Sequence, residues 1–351
     1  MSSIKVEVSR ISDVRVHPNA DALELANVGG WQMCVPKGKF TNGDPVVYFE
    51  QGTVLPAEVA VNLGVEKYLH SKTDINGNKV LVIGRVRLRG EPSYGLVIEP
   101  EEFMQIGDDV TSYYGAEKYH PPVKFGISDQ EVDHPSFPAY TDIENMRSYP
   151  DVLQDGEEVV ITEKIHGTNC RVGFVAADGE LTVMVGSRRF RRKDPGVEKW
   201  RESLYWFPLS LNCVQDLINH LVVAGHKSTV LYGEVYGKGV QIYGYGETGL
   251  AFRAFDIMLD GKYVNFDEFL ALCELYDVPI CPYIARGPYS IGAIRLHSDG
   301  DSCVGGDHGR EGVVVRPVTE RTDPRVGRVI LKYVGDEYLL GKGGKEETTD
   351  A

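Results

Sequence analysis

Between two strand-like segments the chain reads TEKIHGTNCRVGF, Thr162 to Phe174, and its centre holds Lys164, His166, Gly167 and Asn169, all poor β formers. An amine, an imidazole and a carboxamide this close together could serve covalent chemistry, because an unprotonated lysine is a nucleophile and the other two are hydrogen-bonding groups. Taken alone, the stretch reads more plainly as a polar hairpin turn with an exposed lysine. The remainder of the chain decides between the two. Downstream, in short strand-like frames, come Ser187 and Arg188 in GSRRF, Glu234 in LYGEVYG, Phe255 and Asp256 in FRAFDI, Glu311 in EGVVVRP and Lys332 in VILKYV; YTDIENMR lies upstream.

In this order the frames resemble the motif series of the covalent nucleotidyltransferases, the ligase and mRNA-capping superfamily, over about the last two thirds of the chain. KxHGTN in place of KxDGxR points within it to ATP-dependent RNA ligases. HPNADALELANVGG is similar to the opening of tRNA-binding OB modules, and an OB-like domain ahead of the transferase resembles RNA ligase family 5, the nick-sealing type. The resemblance implies that AMP passes from ATP to a lysine, then to an RNA 5′-phosphate, and is finally displaced by a 3′-OH. It implies Mg²⁺ or Mn²⁺, and a nicked RNA or RNA/DNA duplex as partner of a monomer.

The same resemblance assigns roles. Lys164 becomes the nucleophile, and since an ammonium has no lone pair, attack requires its amine to be deprotonated near other cations. Glu234 and Glu311 would hold the hydrated metal, for which carboxylates, waters and phosphate oxygens are suitable ligands. Glu163 would read the adenine edge, with Phe255 stacking on one face of the base and Val313 on the other. His166 would bond phosphate or order metal-bound water, Gly167 would allow a close backbone approach, Asn169 would hold ribose or phosphate, and Arg188 would contact the ribose or the 5′-phosphate end. One departure stands out: the last motif usually carries two lysines one residue apart, but here Val334 follows Lys332 at that spacing. Arg316, Arg325, Arg328 or Lys342 is then expected to supply the missing charge.

Composition narrows the alternatives. With 37 basic and 51 acidic residues the net charge is −14, which argues against indiscriminate nucleic-acid binding, so phosphate contacts should come from local clusters. GSRRFRRKDPGVEKWR holds Arg191, Arg192 and Lys193, and RVRLRG places Arg85, Arg87 and Arg89 at period two, a spacing that puts them on one side of a strand; the KGKF turn adds Lys37 and Lys39. Arg85, Arg87, Arg89, Arg191 and Arg192 are the expected nucleic-acid contacts. The six cysteines form no CxxC pair, which makes a zinc site unexpected and reduced thiols the expected state. The charged, alternating start has no apolar signal-like core, and no run is long enough to span a bilayer; an intracellular protein, cytoplasmic or nucleoid-associated, is expected.

These residues need a frame. Short β segments separated by turns fill the chain as far as residue 120 and fit a small OB-like barrel. Residues 121–138, rich in proline and without periodicity, read as a linker. From 139 to 342 strands and helices mix without a βαβ rhythm, which predicts an α+β adenylyltransferase domain of two antiparallel sheets with flanking helices, followed by a mobile tail at 343–351. Two alternatives compete with this reading: a GTP-dependent nucleotidyltransferase, and a noncatalytic RNA-binding protein with a decayed transferase fold.

Overall fold

The structure, a computed structural model, describes residues 4–122, 129–177 and 179–341. Lys342 and the expected tail lie outside them. Among the described residues the chain divides into two compact units: 4–122 with Glu144–Asp151 and 339–341, and 129–143 with 152–338.

The first unit is barrel-like and almost all β. Strands Leu96–Ile98, Pro45–Phe49, Glu7–Val16, Leu23–Val28 and Trp31–Pro36 lie side by side in that order; Glu117–Lys118, Thr53–Leu55, Lys79–Val82 and His70–Thr73 make a second sheet. Alternation explains the core: Val6, Val8, Val47, Phe49 and Leu55 point inward and bury with Met104 and Tyr114. The segment Glu144–Asp151 packs here as well. Its Arg147 guanidinium lies over both Trp31 and Tyr94, 5.3 Å from each ring centroid, and is buried with them.

Arg85–Leu88 and Glu91–Tyr94 form a hairpin joined by Arg89 and Gly90, both at positive φ (48° and 96°). Two consecutive positive φ values give the tight turn whose twist matches a hairpin. Arg89 is therefore a turn residue outside the strand, which corrects the expectation that it shares a face with Arg85 and Arg87.

The second unit stacks two antiparallel sheets. One runs Gln130–Glu131, Arg191–Arg192, Glu180–Ser187, Thr168–Ala177, Ser228–Gly237, Leu250–Leu259, Lys262–Tyr263. In the other, Leu331–Val334, Gly312–Pro317, Glu158–Glu163 and Tyr283–Pro288 are successive neighbours. Helices Asn212–Val223 and Phe266–Leu275 cover one face of the first sheet, where Val214, Leu217, Leu221, Phe266 and Phe269 meet Cys170, Val172, Phe174, Leu231 and Ile257. Each such fully buried side chain contributes about 1.5–3 kcal/mol of transfer free energy. On the opposite face Tyr232, Met258 and Met184 pack with Phe137, Tyr140 and Ile330.

The expected linker is only partly one. Gln130–Glu131 is a sheet-edge strand, Phe137 is fully buried, and the buried Arg171 bonds both the Phe137 carbonyl (2.7 Å) and the Asp133 carboxylate (2.6 Å). An interior guanidinium needs such partners, and this segment provides them.

Candidate active site

Strand Glu158–Glu163 belongs to one sheet and strand Thr168–Ala177 to the other. Lys164–Gly167 is therefore a crossing between sheets, and the hairpin-turn reading is set aside. The crossing is tight. A Cβ on Gly167 would sit 2.4 Å from the Val235 carbonyl oxygen and 2.8 Å from Glu234 Cγ, so glycine alone allows the chain to pass the Glu234 strand. At the strand end the Lys164 N–H donates to the Gly312 carbonyl (2.9 Å), and Gly312, at φ 153°, would bring a Cβ within 2.3 Å of the Tyr333 carbonyl oxygen.

This packing puts Glu311, the residue before Gly312, beside Lys164. Nζ and Oε1 are 2.7 Å apart; the lysine side chain is 27% exposed and the carboxylate 8%. His166 Nδ1 lies 3.4 Å from Glu311 Oε2, and the Tyr338 hydroxyl lies 3.1 Å from the same Nδ1. Burial alone would raise the Glu311 carboxyl, but the Lys164 ammonium and the His166 imidazole outweigh it and hold it below the ordinary range. Glu311 is therefore a carboxylate at neutral pH, facing an amine that is still partly open to solvent.

The other residues singled out from sequence fall around this pair. Asn169 faces Glu234 in register, and Glu234 faces Arg253. Glu163 faces Val313, which is fully buried. Lys332 faces Val314 and is partly buried. Phe255 is the extra residue of a bulge: Tyr232 pairs with Asp256 and Gly233 with Ala254, which leaves Phe255 unpaired in the ladder and partly exposed. Bulges re-aim side chains in this way. It packs beside Ile165 and Tyr245 on one side and Tyr140 on the other.

Glu163 is more committed than expected. Its carboxylate accepts from the Ser302 hydroxyl (2.6 Å) and the Cys303 N–H (2.7 Å), and it is buried. One lone pair on each oxygen is left for any further donor.

Several basic residues serve the fold instead. Arg192 is buried, paired with Asp129 at 2.8 Å and laid over the Tyr205 ring, and Arg191 is mostly covered and paired with Glu131 at 3.0 Å, so the expectation that these two contact nucleic acid is corrected. Arg188 pairs with Asp142 at 2.5 Å and remains partly exposed. Val334, at the place of the second lysine, is buried opposite Gly312. Arg316 and Arg328 do not replace that lysine: both are buried against the fully buried Asp256, at 2.9 and 2.6 Å, and Arg328 also forks onto Glu320. Two guanidinium groups and two carboxylates close a neutral buried cluster that ties the sheets together. Arg325 pairs with Asp323.

The sequence reading passed over an aromatic enclosure. Tyr243 stacks on His308 (4.1 Å, 12°), meets His166 edge-on at 5.2 Å, and lies 5.8 Å from Tyr338; the Tyr245 hydroxyl accepts from the His166 N–H at 2.6 Å. The clustered tyrosines of QIYGYG were the available signal, although loop aromatics carry no periodicity.

Comparison with known proteins agrees with this fold. A family model described as RNA ligase matches residues 157–334, and an OB-fold domain model matches residues 5–100. Among solved structures, a Naegleria gruberi RNA ligase variant without ligand is similar over 97% of this chain and 98% of its own, with TM-score 0.78 and 23% identity. The same ligase with PPi gives 0.75 at 24% identity over 95% and 97%. A variant with ATP and Mn gives 0.76 at 23% over the same shares. No curated protein sequence matches significantly.

Proposed function

The chain belongs to the RNA ligase family, and on that footing we propose that it seals 5′-phosphate/3′-OH nicks with ATP, through a lysyl-AMP intermediate on Lys164. The observation that carries this is the Lys164–Glu311 pair, an amine still partly open to solvent on a crossing that only glycine at position 167 permits.

In the first step the Nζ lone pair attacks the α-phosphorus of ATP. The N–P bond forms, the bond to pyrophosphate breaks, and the amine proton leaves. Nζ must first give up both that proton and its ion pair with Glu311. An oxygen of the RNA 5′-phosphate then displaces the lysine from AMP, and the 3′-OH finally displaces AMP to form the phosphodiester. Phe255, re-aimed by its bulge, and Val313 would flank the base. His166, Asn169, Arg188 and Lys332 would supply donors to phosphate and ribose.

A divalent ion fits these residues. Glu311 Oε2 is buried without a hydrogen-bond partner, and no three metal-type side chains converge among the described residues. A site with one or two carboxylates suits magnesium, which keeps several waters and takes phosphate oxygens as its remaining ligands. Glu311 and Glu234 would hold it. When bound, the ion neutralises phosphate charge and favours the neutral amine.

The Naegleria ligase, seen with ATP and Mn and with PPi, supports this choice of nucleotide and metal. No helix of the described residues is long and apolar enough to cross a membrane. The test is incubation with radiolabelled ATP or GTP and Mg²⁺, followed by denaturing electrophoresis. Label from ATP supports the reading, whereas label from GTP alone, or none, removes it.

A further inference from the structure

Tyr245 has no role in the scheme above. The peptide groups of 164–167 pass from one sheet to the other, so neither ladder alone can meet their hydrogen bonds. Two of those bonds come from a single loop, residues 238–249, which joins strands Ser228–Gly237 and Leu250–Leu259. The Tyr245 hydroxyl accepts from the His166 N–H at 2.6 Å, and Gln241 Nε2 donates to the Gly167 carbonyl at 3.3 Å. Tyr245 reaches this place at a cost. Its φ is 54°, in the left-handed region that a tyrosine seldom enters, while its buried ring packs with Ile165, Tyr236 and Cys281. A second loop backs it: a Cβ on Gly305 would lie 3.2 Å from the Tyr245 carbonyl oxygen, and one on Gly306 3.1 Å from the Tyr245 Cα. The Tyr243–His308 stack joins the same two loops. A strained residue packed from both sides is held where it is by its surroundings.

We propose that Tyr245 is a positioning residue for Lys164, its hydroxyl fixing the His166 peptide group and with it the crossing that carries the nucleophile. The Lys164 N–H is tied to the Gly312 carbonyl and the His166 N–H to Tyr245, so the backbone on either side of the Ile165 peptide has an anchor. Ile165 itself is buried against the Tyr245 ring cluster. Without the hydroxyl the second anchor is lost, and Nζ samples more positions relative to the phosphorus it must attack. Attack is fast only from a near-aligned geometry, so that freedom costs rate. The phenol is suited to the task. Burial, together with the Glu311, Glu163 and Glu234 carboxylates, pushes it up against the pull of the His166 N–H, which keeps it neutral and an acceptor at working pH. The inference rests on the ligase reading for its chemical consequence. Its structural core, that Tyr245 holds the crossing, stands apart from that reading.

The test uses the full chain carrying Tyr245→Phe, which keeps the ring and removes the hydroxyl. In the protein without nucleotide or metal, amide hydrogen exchange in the peptide covering 164–167 should quicken about three- to tenfold, the loss of one ordinary hydrogen bond, with strand Thr168–Ala177 unmoved. The rate of adduct formation at saturating ATP should fall by a similar factor, with KM for ATP unchanged. Sealing of a nick that is already adenylylated should keep its wild-type rate, because that step does not use the lysine. This split separates positioning from support of the fold. Equal losses in both steps, faster exchange throughout the sheet, or no change in either exchange or adduct rate would overturn the proposal. Absence of any adduct in the wild-type chain would instead count against the ligase reading, leaving the exchange result to decide by itself whether Tyr245 holds the crossing.

Discussion

Lys164 Nζ and Glu311 Oε1 meet at 2.7 Å although they come from opposite ends of the catalytic unit's sequence, because strands Glu158–Glu163 and Gly312–Pro317 are neighbours in one sheet. A lysine at a strand end becomes special only through such a neighbour.

Lys164→Ala should abolish the covalent AMP adduct. Lys164→Arg should do the same, since guanidinium stays protonated and cannot attack. Both variants should still seal a nick that is already adenylylated, because that substrate bypasses the lysine. Gel assays of the two substrates side by side check this, and normal labelling of Lys164→Ala would move the nucleophile elsewhere.

Glu311→Gln keeps the shape of the side chain and removes its charge. Adduct formation should slow most where Mg²⁺ is limiting and recover in part at high Mg²⁺. Glu234→Ala should behave likewise. Wild-type metal titration curves in both variants would remove these residues from the metal site.

Asp256 gives a pH prediction. Burial alone would raise its carboxyl, but Arg316 and Arg328, together with the Tyr140 hydroxyl, hold it below its ordinary value. A carboxyl lowered in the folded state stabilises the fold above the unfolded-state pKa and loses that contribution as pH falls through the folded-state pKa. Full stabilisation at pH 7 should therefore begin to fade near pH 4, about the ordinary aspartate value, and disappear below it. Asp256→Asn removes the buried charge that Arg316 and Arg328 share, leaving Glu320 as their one remaining carboxylate, and should cost about 3–5 kcal/mol at pH 7 in urea unfolding. The gap from wild type should narrow toward acid, and a pH-independent gap would contradict the assignment.

The basic clusters should separate by role. Arg192→Ala should destabilise the fold by about 1–3 kcal/mol without changing the salt dependence of nick binding. Glutamate at Arg85 and Arg87 together should weaken binding and reduce the salt slope by about two, one phosphate contact each, while leaving adduct formation intact. Unchanged binding in the double reversal would exclude that hairpin face.

Where sequence reasoning succeeded and failed has physical causes. The frames around Lys164, Glu234, Phe255, Glu311 and Lys332 stood out because they are short strand-like segments whose order along the chain resembles a known motif series. Arg191 and Arg192 were misread because their acidic partners, Glu131 and Asp129, lie in a proline-rich stretch with no periodicity, and charge clusters do not reveal what neutralises them. Strand Glu180–Ser187 gave no alternation: its first four residues are exposed, Leu181 and Val183 included, and its last four are buried. Arg316 and Arg328 carried the right charge for phosphate, but nothing in their frames announced a buried Asp256. Tyr338 left no pattern at all, since its meaning comes only from what the fold brings to it.

A chain begun at Pro138 would lack Asp129, Glu131, Asp133 and Phe137, the partners of Arg192, Arg191 and Arg171. One begun at Asp129 keeps them. The longer form should unfold at higher urea and retain adduct formation. Equal stability of the two forms would show that this segment does not brace the catalytic unit.

The most direct measurement of the central claim is peptide mapping of the adduct. After reaction with ATP and Mg²⁺, protease digestion and mass spectrometry should place a single acid-labile AMP on the peptide containing Lys164, with release of the label on adding a 5′-phosphorylated nicked RNA duplex. AMP on any other residue, or an adduct that RNA cannot discharge, would contradict it.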